Sequence, residues 1–221
     1  IHEPGKKLRI LHDRFFEPSD IVFSFDILKQ HCTINPTMKD NAAQAILDAN
    51  RTSYDRMSGE FSSTRGYFWK ELEFLAEHAT PGMRVLDIGC GNGRFFPLLA
   101  ARSITYTGVD NSEGLLQEAR QLHPHADFVV GDATALPFED QQFDIAFSFA
   151  TIHHIPGIAL QKKFITEAAR VLRPGSTFIL TAWDLSTPRY VWKVRKASLL
   201  RLLGLSRLDR HDVWLTFGKD R

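Results

Sequence analysis

The feature that most constrains the fold of this sequence is an alternation, from Met83 to Trp183, of short apolar runs with helical segments. The apolar runs read MRVLDIG, ITYTGVD, ADFVVGD, FDIAFSFA and STFILTAW. Strands that are apolar on both sides indicate a parallel sheet whose two faces are both covered. Because crossovers between parallel strands are right-handed, we expect a doubly wound α/β sheet of five parallel strands with helices on both faces. No obvious closing strands follow, so one edge of the sheet is expected to lack its usual C-terminal neighbours.

The rest of the chain divides around this core. Apolar residues make up 43% of the 221 residues and charged residues 24%, which excludes wholesale disorder and coiled-coil architecture. We expect an N-terminal extension of unclear structure at 1–40, a helical lid at 41–82, the core at 83–185 and a basic helical tail at 186–221 that could continue further. Within the lid the pattern predicts one helix from Lys39 to about Met57 and a second from about Tyr67 to His78. Outside the core, IVFSFDIL could be a strand or a short helix, and DVWLTF could be a short strand. The two cysteines lie far apart, and no apolar run is long enough for a membrane span or a signal peptide. We therefore expect a protein of the reducing cytoplasm.

The strongest local motif is VLDIGCGNGRF at residues 85–95. A buried strand is predicted to end at Asp87 and Ile88, and three glycines at 89, 91 and 93 then form the turn into the next element. Such a turn lets a ligand lie against bare backbone. Arg94 stands where a dinucleotide-binding loop would have its third glycine, which argues against NAD. Asp87 is placed to receive an ammonium group of a ligand.

Two further carboxylates follow the next two strands. Asp110 ends the run GVD, and a carboxylate there can accept hydrogen bonds from both hydroxyls of a ribose. Asp132 follows VVG, and an acidic acceptor there, beside Ala133, suits the exocyclic amine of an adenine. Each aspartate alone could be a turn or helix cap. Three acidic strand ends at these intervals predict a nucleoside site.

As a set, VLDIGCGNG, GVD, GDATALPF, FDIAFS and RVLRPG resemble the successive motifs of class I S-adenosylmethionine-dependent methyltransferases. The resemblance covers residues 83–183 and implies S-adenosyl-L-methionine as the cofactor. It implies the following contacts: the methionine end with Asp87, Gly89, Gly91 and Gly93, the ribose with Asp110 and Asn111, the adenine with Asp132 and Ala133, and the sulfonium with Phe149.

The segments YDRMSGEFSSTRGYFW and FSFATIHHI are similar to the tRNA wobble-uridine carboxymethyl methyltransferases, which include the methyltransferase part of the AlkB-type tRNA enzyme. The sequence departs from that group at Lys70, where Pro is frequent, and at Asp184, where Ala is frequent. The resemblance implies a carboxymethyl group on tRNA as methyl acceptor, tRNA as partner and a small activator subunit as a further partner. Two alternatives stay open: a methyltransferase for a phenol, quinone or polyketide, and a catalytically idle module that binds cofactor or RNA.

The candidate catalytic residues are Arg65, His153 and His154. For a carboxylate acceptor these residues would supply a cation or a hydrogen-bond donor, whereas a hydroxyl or amine would need a histidine as base. The alternatives are a helix N-cap followed by a surface arginine at SSTR, and a capping or packed ring for the histidines. No cluster of Cys and carboxylate ligands accompanies the histidines, so we expect no metal site.

The tail is strongly basic, since residues 186–221 contain nine Lys/Arg and three Asp. Arg189, Lys193 and Lys196 recur at spacings of four and three, so they share a helix face and are predicted to contact tRNA phosphates. Three leucines, Leu199, Leu202 and Leu203, are predicted to face the core instead. The alternative is a solvated amphipathic helix without a nucleic-acid partner.

Overall fold

The computed structural model describes residues 7–12, 40–182 and 188–203. Its strands are β1 (Lys7–His12), β2 (Arg84–Ile88), β3 (Thr105–Asp110), β4 (Asp127–Val130), β5 (Phe143–Phe149) and β6 (Leu172–Ala182). Its α-helices are α1 (Asp40–Thr64), α2 (Glu113–Leu122), α3 (Gly157–Val171) and α4 (Pro188–Leu202). None of the helices in these ranges is long and apolar enough to cross a membrane.

The strands form one sheet in the order β1-β6-β5-β2-β3-β4, and every neighbouring pair is parallel. From β2 the chain proceeds to β3 and β4 on one side, and it returns to the other side for β5 and β6. The strand order therefore reverses between β2 and β5. In doubly wound folds the ligand crevice lies at the carboxyl ends of the strands at such a reversal. The predicted fold class is confirmed.

Both faces of the sheet are buried, which explains why the strands are apolar throughout. Val85 and Ile145 belong to a core that also contains residues of α2, whereas Leu86 and Ala146 belong to a second core with Phe164 of α3. Successive side chains of a strand point to opposite faces. Strands β2, β3, β5 and β6 consequently contribute to both cores, and an alternating polar pattern would leave one of the cores incomplete.

The sheet edge beside β6 has a neighbour, which comes from the N-terminal segment and not from C-terminal closing strands. Strand β1 pairs with β6 from Lys7 opposite Thr177 to His12 opposite Ala182. Local periodicity does not reveal this pairing, because β1 is short and its partner lies far along the chain. The predicted strand or helix at IVFSFDIL and the predicted strand at DVWLTF lie outside the described residues.

Three helical predictions need correction. Helix α1 ends at Thr64, well beyond the predicted end near Met57, so SSTR lies largely in its last turn and is not an N-cap. Residues 70–78 form a 3-10 helix where an α-helix from Tyr67 was predicted. After the glycine loop only Phe96–Leu98 are helical, as a 3-10 turn, where a longer helical segment was predicted.

Helix α1 is held against the start of α2 by one carboxylate. The Asp55 Oδ1 atom accepts hydrogen bonds from Ser112 Oγ at 2.6 Å and from the Gly114 backbone N–H at 3.1 Å. Ser112 Oγ also caps α2 by accepting from the N–H of Leu115. A Cβ at Gly114 would lie 3.0 Å from the carbonyl oxygen of Asp55. Glycine is therefore what allows the two helices to approach so closely.

We expect Gly114→Ala to lower the free energy of unfolding by about 1–3 kcal/mol, because the new methyl group meets backbone that can move only if α1 shifts. The matched control is Gly59→Ala in α1, where a Cβ would meet nothing within 4 Å. That control should gain about 0.5–1 kcal/mol from the better helix propensity of alanine. Urea unfolding of both variants checks the prediction, and equal effects would contradict the close contact.

Candidate functional site

The glycine loop after β2 is pinned to the end of β3. Gly89, Gly91 and Gly93 have φ of +74°, +56° and +75°, in the left-handed region that favours glycine. The N–H of Gly89 donates to the carbonyl of Val109 at 2.7 Å, and the N–H of Gly91 donates to Asp110 Oδ2 at 2.9 Å. These bonds fix the loop at the reversal of strand order.

The three glycines differ in what surrounds them. A Cβ at Gly89 would lie 2.2 Å from Thr151 Oγ1, and one at Gly93 would lie 2.8 Å from the ring of Phe128. A Cβ at Gly91 would approach no atom closer than 3.9 Å. Packing therefore requires the outer two glycines, while the backbone of Gly91 borders space that a ligand can occupy.

Asp87 lies in β2 and is only 2% exposed. Its Oδ2 accepts a hydrogen bond of 2.9 Å from the Tyr106 hydroxyl. Burial raises the pKa of Asp87 to about 7; the Tyr106 bond opposes this rise, nearby Asp110 adds to it and Arg94 opposes it. Because the buried carboxylate is only partly ionised near neutral pH, a cation of a ligand placed beside it would favour the ionised form.

Asp110 bridges the glycine loop and the start of α2. Besides the Gly91 bond, its Oδ1 accepts from the N–H of Ser112 at 2.9 Å. Burial raises its pKa, and backbone hydrogen bonds from Ser112, Gly91 and Asn111 oppose the rise. Asn111 is exposed at the rim. Asp110 thus caps a turn and also remains at the strand end that sequence reasoning predicted.

Asp132 follows β4 at the same edge of the sheet and is exposed, and Ala133 beside it is half-buried. Its Oδ1 accepts from the N–H and the hydroxyl of Thr134 at 2.7 and 2.8 Å. Asp132 therefore caps a turn, as the alternative expected, and its contact with an adenine stays a prediction. Both bonds fall on one oxygen.

The loop after Asp132 is anchored by two residues of α3 that the sequence did not single out. Arg170 donates to the carbonyls of Leu136 at 3.0 Å and Phe138 at 2.8 Å, and Glu167 accepts from the N–H of Leu136 at 2.9 Å. Arg170 also pairs with Glu167 at 2.8 Å, and this hydrogen-bonded pairing lowers the pKa of Glu167. The loop that carries Asp132 consequently has a fixed position.

Phe149 ends β5 within an aromatic cluster. Its ring centroid lies 4.7 Å from those of Phe68 and Phe95 and 5.8 Å from that of Phe147. The side chain is buried, so it forms part of the apolar wall at the reversal of strand order.

His153 and His154 follow β5 in a short 3-10 turn and are held by α1. The Tyr54 hydroxyl and His154 Nε2 are 3.0 Å apart, and Asn50 Nδ2 donates to the His154 carbonyl at 3.0 Å. Burial lowers the pKa of His154 to about 4, and burial together with His154 lowers that of His153 to about 3. Both rings are neutral at neutral pH. Both rings can exchange hydrogen bonds, but neither supplies a cation at neutral pH.

Two arginines lie near the glycine loop. Arg65 is exposed just after α1, its guanidinium lies 5.0 Å from the ring centroid of Phe61, and its carbonyl accepts from Asn92 Nδ2 at 3.3 Å. Arg94 is half-buried, and its guanidinium lies 3.7 Å from the ring centroid of Trp69. Both arginines act electrostatically on the hydroxyl of Tyr54, whose pKa burial raises to about 12.

The contribution of α1 was only partly predicted. Asn50, Tyr54, Phe61 and Arg65 recur at spacings of four, seven and four, which places them on one face of a helix. A longer predicted helix would have revealed this face. Its polar members contact the site, whereas the prediction from periodicity considered mainly apolar residues.

Within the predicted tail, Pro188–Leu202 form α4, with Lys196 exposed and Lys193 half-buried. Arg189 lies in the first turn of the same helix. The three leucines predicted to face the core are instead exposed, Leu202 by 84% of its surface. Helical spacing shows which residues share a face but not which face meets the protein. Among the described residues, no group of three or more His, Cys, Asp or Glu could hold a metal ion.

The raised pKa of Asp87 predicts a pH-dependent stability difference. Because the folded state holds this proton up to about pH 7 and the unfolded state loses it near pH 4, Asp87 makes stability fall as pH rises through this window. We expect Asp87→Asn to remove that loss, so the variant gains on the parent by up to about 1.4 kcal/mol per pH unit. Chemical unfolding from pH 4 to 8 measures the difference.

Tyr106→Phe serves as the companion variant, because it removes the hydrogen bond that lowers the pKa of Asp87. In this variant the pKa of Asp87 in the folded state should be higher, so the fall in stability should continue to a higher pH. A difference between Asp87→Asn and parent that does not vary with pH would contradict the raised pKa.

Known proteins with similar sequences are methyltransferases. Residues 86–180 match the sequence model of a family described as a methyltransferase domain. The chain is 38% identical over 162 residues to a candidate methyltransferase of Encephalitozoon cuniculi, covering 73% of this chain and 71% of that protein.

Two further relatives have named substrates. The chain is 34% identical to a tRNA (carboxymethyluridine(34)-5-O)-methyltransferase of Arabidopsis thaliana, over 59% of this chain and 31% of that protein. It is 42% identical to a fatty-acid O-methyltransferase of Mycolicibacterium smegmatis, over 52% of this chain and 41% of that protein. The matches therefore span less than half the length of these two relatives.

A solved structure shares the fold. A chain of the complex between the Haloferax volcanii Trm112 methyltransferase activator and a candidate methyltransferase matches with a TM-score of 0.52 and 27% identity, over 58% of this chain and 57% of that chain. The parallel sheet, the glycine loop at the reversal of strand order and the sequence matches lead to one conclusion. The chain belongs to the S-adenosylmethionine-dependent methyltransferases.

Proposed function

We propose that this protein methylates the carboxymethyl group of a modified wobble uridine in tRNA. One combination of residues carries the proposal. Arg65 is an exposed cation, and burial lowers the pKa values of two histidines, His153 and His154, to about 3 and 4. Both Arg65 and His154 neighbour Tyr54. The name of the Arabidopsis relative supports the same acceptor.

This chemistry favours a carboxylate over a hydroxyl or an amine. A carboxylate is already ionised at neutral pH and needs no base, whereas a hydroxyl or amine must lose a proton during transfer. Histidines with such low pKa values are weak bases. Arg65 and a neutral ring N–H can instead orient an anionic acceptor. We assign this role to Arg65, His153 and His154 as part of the proposal.

The proposed cofactor site uses the carboxyl ends of β2, β3, β4 and β5. S-adenosylmethionine supplies a methyl group already activated on a sulfonium sulfur. The residues present fit it, because Gly91 borders open space and acidic side chains stand at three successive strand ends. The proposed contacts are Asp87, Gly89, Gly91 and Gly93 for the methionine end, Asp110 and Asn111 for the ribose, Asp132 and Ala133 for the adenine, and Phe149 for the apolar wall beside the sulfonium.

In this proposal α1 acts as the lid of the 41–82 segment. It is tied to the start of α2 through Asp55, to the end of β5 through Asn50 and Tyr54, and to the glycine loop through the carbonyl of Arg65. A lid held at three places excludes water and aligns the acceptor with the methyl group. Alignment of this kind contributes about 7–11 kcal/mol to catalysis.

The basic helix α4 supports a polyanionic partner. Lys193, Arg195 and Lys196 add three cations to one helix, and Arg189 lies one turn before them. We assign Arg189, Lys193 and Lys196 to phosphate contacts, which fits tRNA and a cytoplasmic location. A small activator subunit is a further proposed partner, and the likeness to a chain of the Trm112 complex supports it.

A second candidate acceptor is the carboxylate of a small acid, and the fatty-acid relative favours it. The same absence of a strong base suits this acceptor. The two candidates differ in what α4 contributes, because a small acid gives those cations no partner.

Gly91→Ala should abolish measurable cofactor binding, because its methyl group would occupy the space that the ligand needs. The matched control is Gly175→Ala, which has the same left-handed strain at φ +85° but nothing within 4 Å of the new Cβ. Calorimetry with S-adenosylhomocysteine measures both affinities. Loss of binding in both variants, or in neither, would contradict the proposed position of the cofactor.

The protein should methylate tRNA isolated from cells that lack wobble carboxymethyl methylation, and mass spectrometry of the digested nucleosides should detect 5-methoxycarbonylmethyluridine. A parallel reaction offers free fatty acids with the same labelled cofactor. Methylation of fatty acids but not of tRNA would favour the second candidate and overturn the first.

A measurement of tRNA binding at several salt concentrations tests the contribution of α4. Replacing Lys193 and Lys196 by Ala should flatten the slope of log tRNA affinity against log salt by roughly one unit per lost contact. The control replaces Lys162 and Lys163 of α3, two exposed lysines with the same total charge. An equal slope for both double variants would exclude these phosphate contacts.

A further inference from the structure

The ring of His154 is held in place by a hydroxyl of helix α1. Tyr54 Oη lies 3.0 Å from His154 Nε2, and the two rings meet edge to face with their centroids 5.4 Å apart. The backbone of His154 is fixed as well, because its N–H donates to the Thr151 carbonyl at 2.9 Å and its carbonyl accepts from Asn50 Nδ2 at 3.0 Å. Asn50 and Tyr54 are four residues apart, so one face of α1 holds both the backbone and the ring.

The chemistry of the two groups decides which atom of the contact carries the hydrogen. A neutral imidazole has one N–H donor and one acceptor nitrogen, whereas a tyrosine hydroxyl can donate or accept. Burial raises the pKa of Tyr54 to about 12 and lowers that of His154 to about 4, so both groups are uncharged at neutral pH. Between these uncharged groups, the phenol is the stronger acid and the bare imidazole nitrogen is the stronger base. The Tyr54 hydroxyl therefore donates to His154 Nε2.

The surroundings of the hydroxyl favour the same direction. If Tyr54 Oη accepted a hydrogen from His154, its own hydrogen would need another acceptor. Among the described residues, His154 Nε2 is the one hydrogen-bonding atom that Tyr54 Oη contacts. The Tyr54 side chain is half-buried, and the ring of Phe61 lies edge-on to it at 5.8 Å. A hydroxyl hydrogen left unpaired in such surroundings costs free energy, and donation to Nε2 avoids that cost.

We propose that Tyr54 is a positioning residue that fixes His154 in the tautomer with its hydrogen on Nδ1, so that the ring donates a hydrogen bond to the methyl acceptor. This inference deepens the proposed function and rests on it. The nitrogen that carries the hydrogen is set by the bond that the other nitrogen makes. No hydrogen bond within residues 40–182 engages His154 Nδ1, so its N–H is available to a ligand.

The fixed tautomer selects the class of acceptor. Because Nε2 of His154 is occupied by the Tyr54 hydroxyl and Nδ1 carries the hydrogen, the ring has no free lone pair that could take a proton from a hydroxyl or an amine. An N–H donor instead suits the oxygen of a carboxylate, which has no proton to lose. Tyr54 thus acts on the reaction through His154, without touching the acceptor itself.

Tyr54→Phe removes the hydroxyl and keeps the ring. Nε2 of His154 then loses its donor, so the Nε2–H tautomer that free histidine favours becomes populated and turns a bare lone pair of Nδ1 toward the acceptor. We expect kcat/KM for the carboxymethyl group on tRNA to fall by about 3- to 10-fold, as for the loss of one hydrogen bond. The matched control is Tyr67→Phe, which removes a hydroxyl from a side chain that is 92% exposed.

The decisive measurement is NMR of protein with ¹⁵N-labelled histidine rings at neutral pH, since nitrogens with and without a hydrogen have well separated shifts. The signals of His154 are assigned by their loss in His154→Gln. The parent and Tyr67→Phe should show a protonated Nδ1 and a bare Nε2 for His154, whereas Tyr54→Phe should show a shift toward the Nε2–H form. A merely structural role of Tyr54 would lower the rate without changing the tautomer.

Three results would overturn the inference. A protonated Nε2 in the parent would reverse the direction of the hydrogen bond, and this measurement needs no variant. An unchanged His154 tautomer in Tyr54→Phe would show that other contacts set it. A changed tautomer with an unchanged kcat/KM would remove the ring N–H from the reaction. Absence of tRNA methylation by the parent would instead contradict the proposed function, whereas the tautomer of His154 would still be measured independently.

Discussion

The buried carboxylate of Asp110 is the interaction on which the rest of the site depends. It receives the N–H of Gly91 on one oxygen and the N–H of Ser112 on the other, and so joins the glycine loop to the start of α2. The hydroxyl of Ser112 continues the connection to Asp55 in α1. Three segments that are far apart in sequence are thereby fixed around one strand end. Because the carboxylate is buried, losing any one of these bonds would leave a charge poorly compensated.

The charged side chains of the crevice differ in how far they are buried. Asp87 and Asp110 lie at the buried strand ends, Arg94 lies half-buried beside them, and Arg65 lies exposed at the mouth. His153 and His154, which follow β5, are neutral because burial disfavours their cationic forms. Fixed charges of both signs in a partly dry site act strongly on a ligand without having to reorganise. This arrangement suits a ligand with separated charges better than an apolar molecule.

The sequence predicted the parts of the site whose signals are local. The glycine loop and the acidic strand ends lie within a few residues of an apolar strand, so pattern alone located Asp87, Gly91 and Asp110. Strand β1 was missed because its pairing with β6 depends on an edge created by distant residues. The low pKa values of the histidines also could not be predicted from the sequence, because they follow from burial in the folded protein and not from residues adjacent in sequence.

The errors in the helices have a similar origin. Periodicity identified α1 but placed its end too early, since the polar residues near Thr64 gave no reason to continue it. The face of α4 was assigned inward because Leu199 and Leu202 are apolar, yet the structure exposes both. An amphipathic pattern states that two faces differ, and only tertiary contacts decide which of them is covered.

The opposite pKa shifts in the crevice have a consequence for how its charge responds to acid. Between pH 7 and pH 4 the buried acid Asp87 takes up a proton, whereas His153 and His154 remain neutral over nearly all of that range. Mild acidification therefore removes negative charge from the crevice without creating new cations on the histidines. The crevice therefore takes up protons as a weak acid does, although it contains two imidazoles. A ligand ammonium would lose its counter-charge under these conditions, but it would not meet repulsion from a newly charged ring.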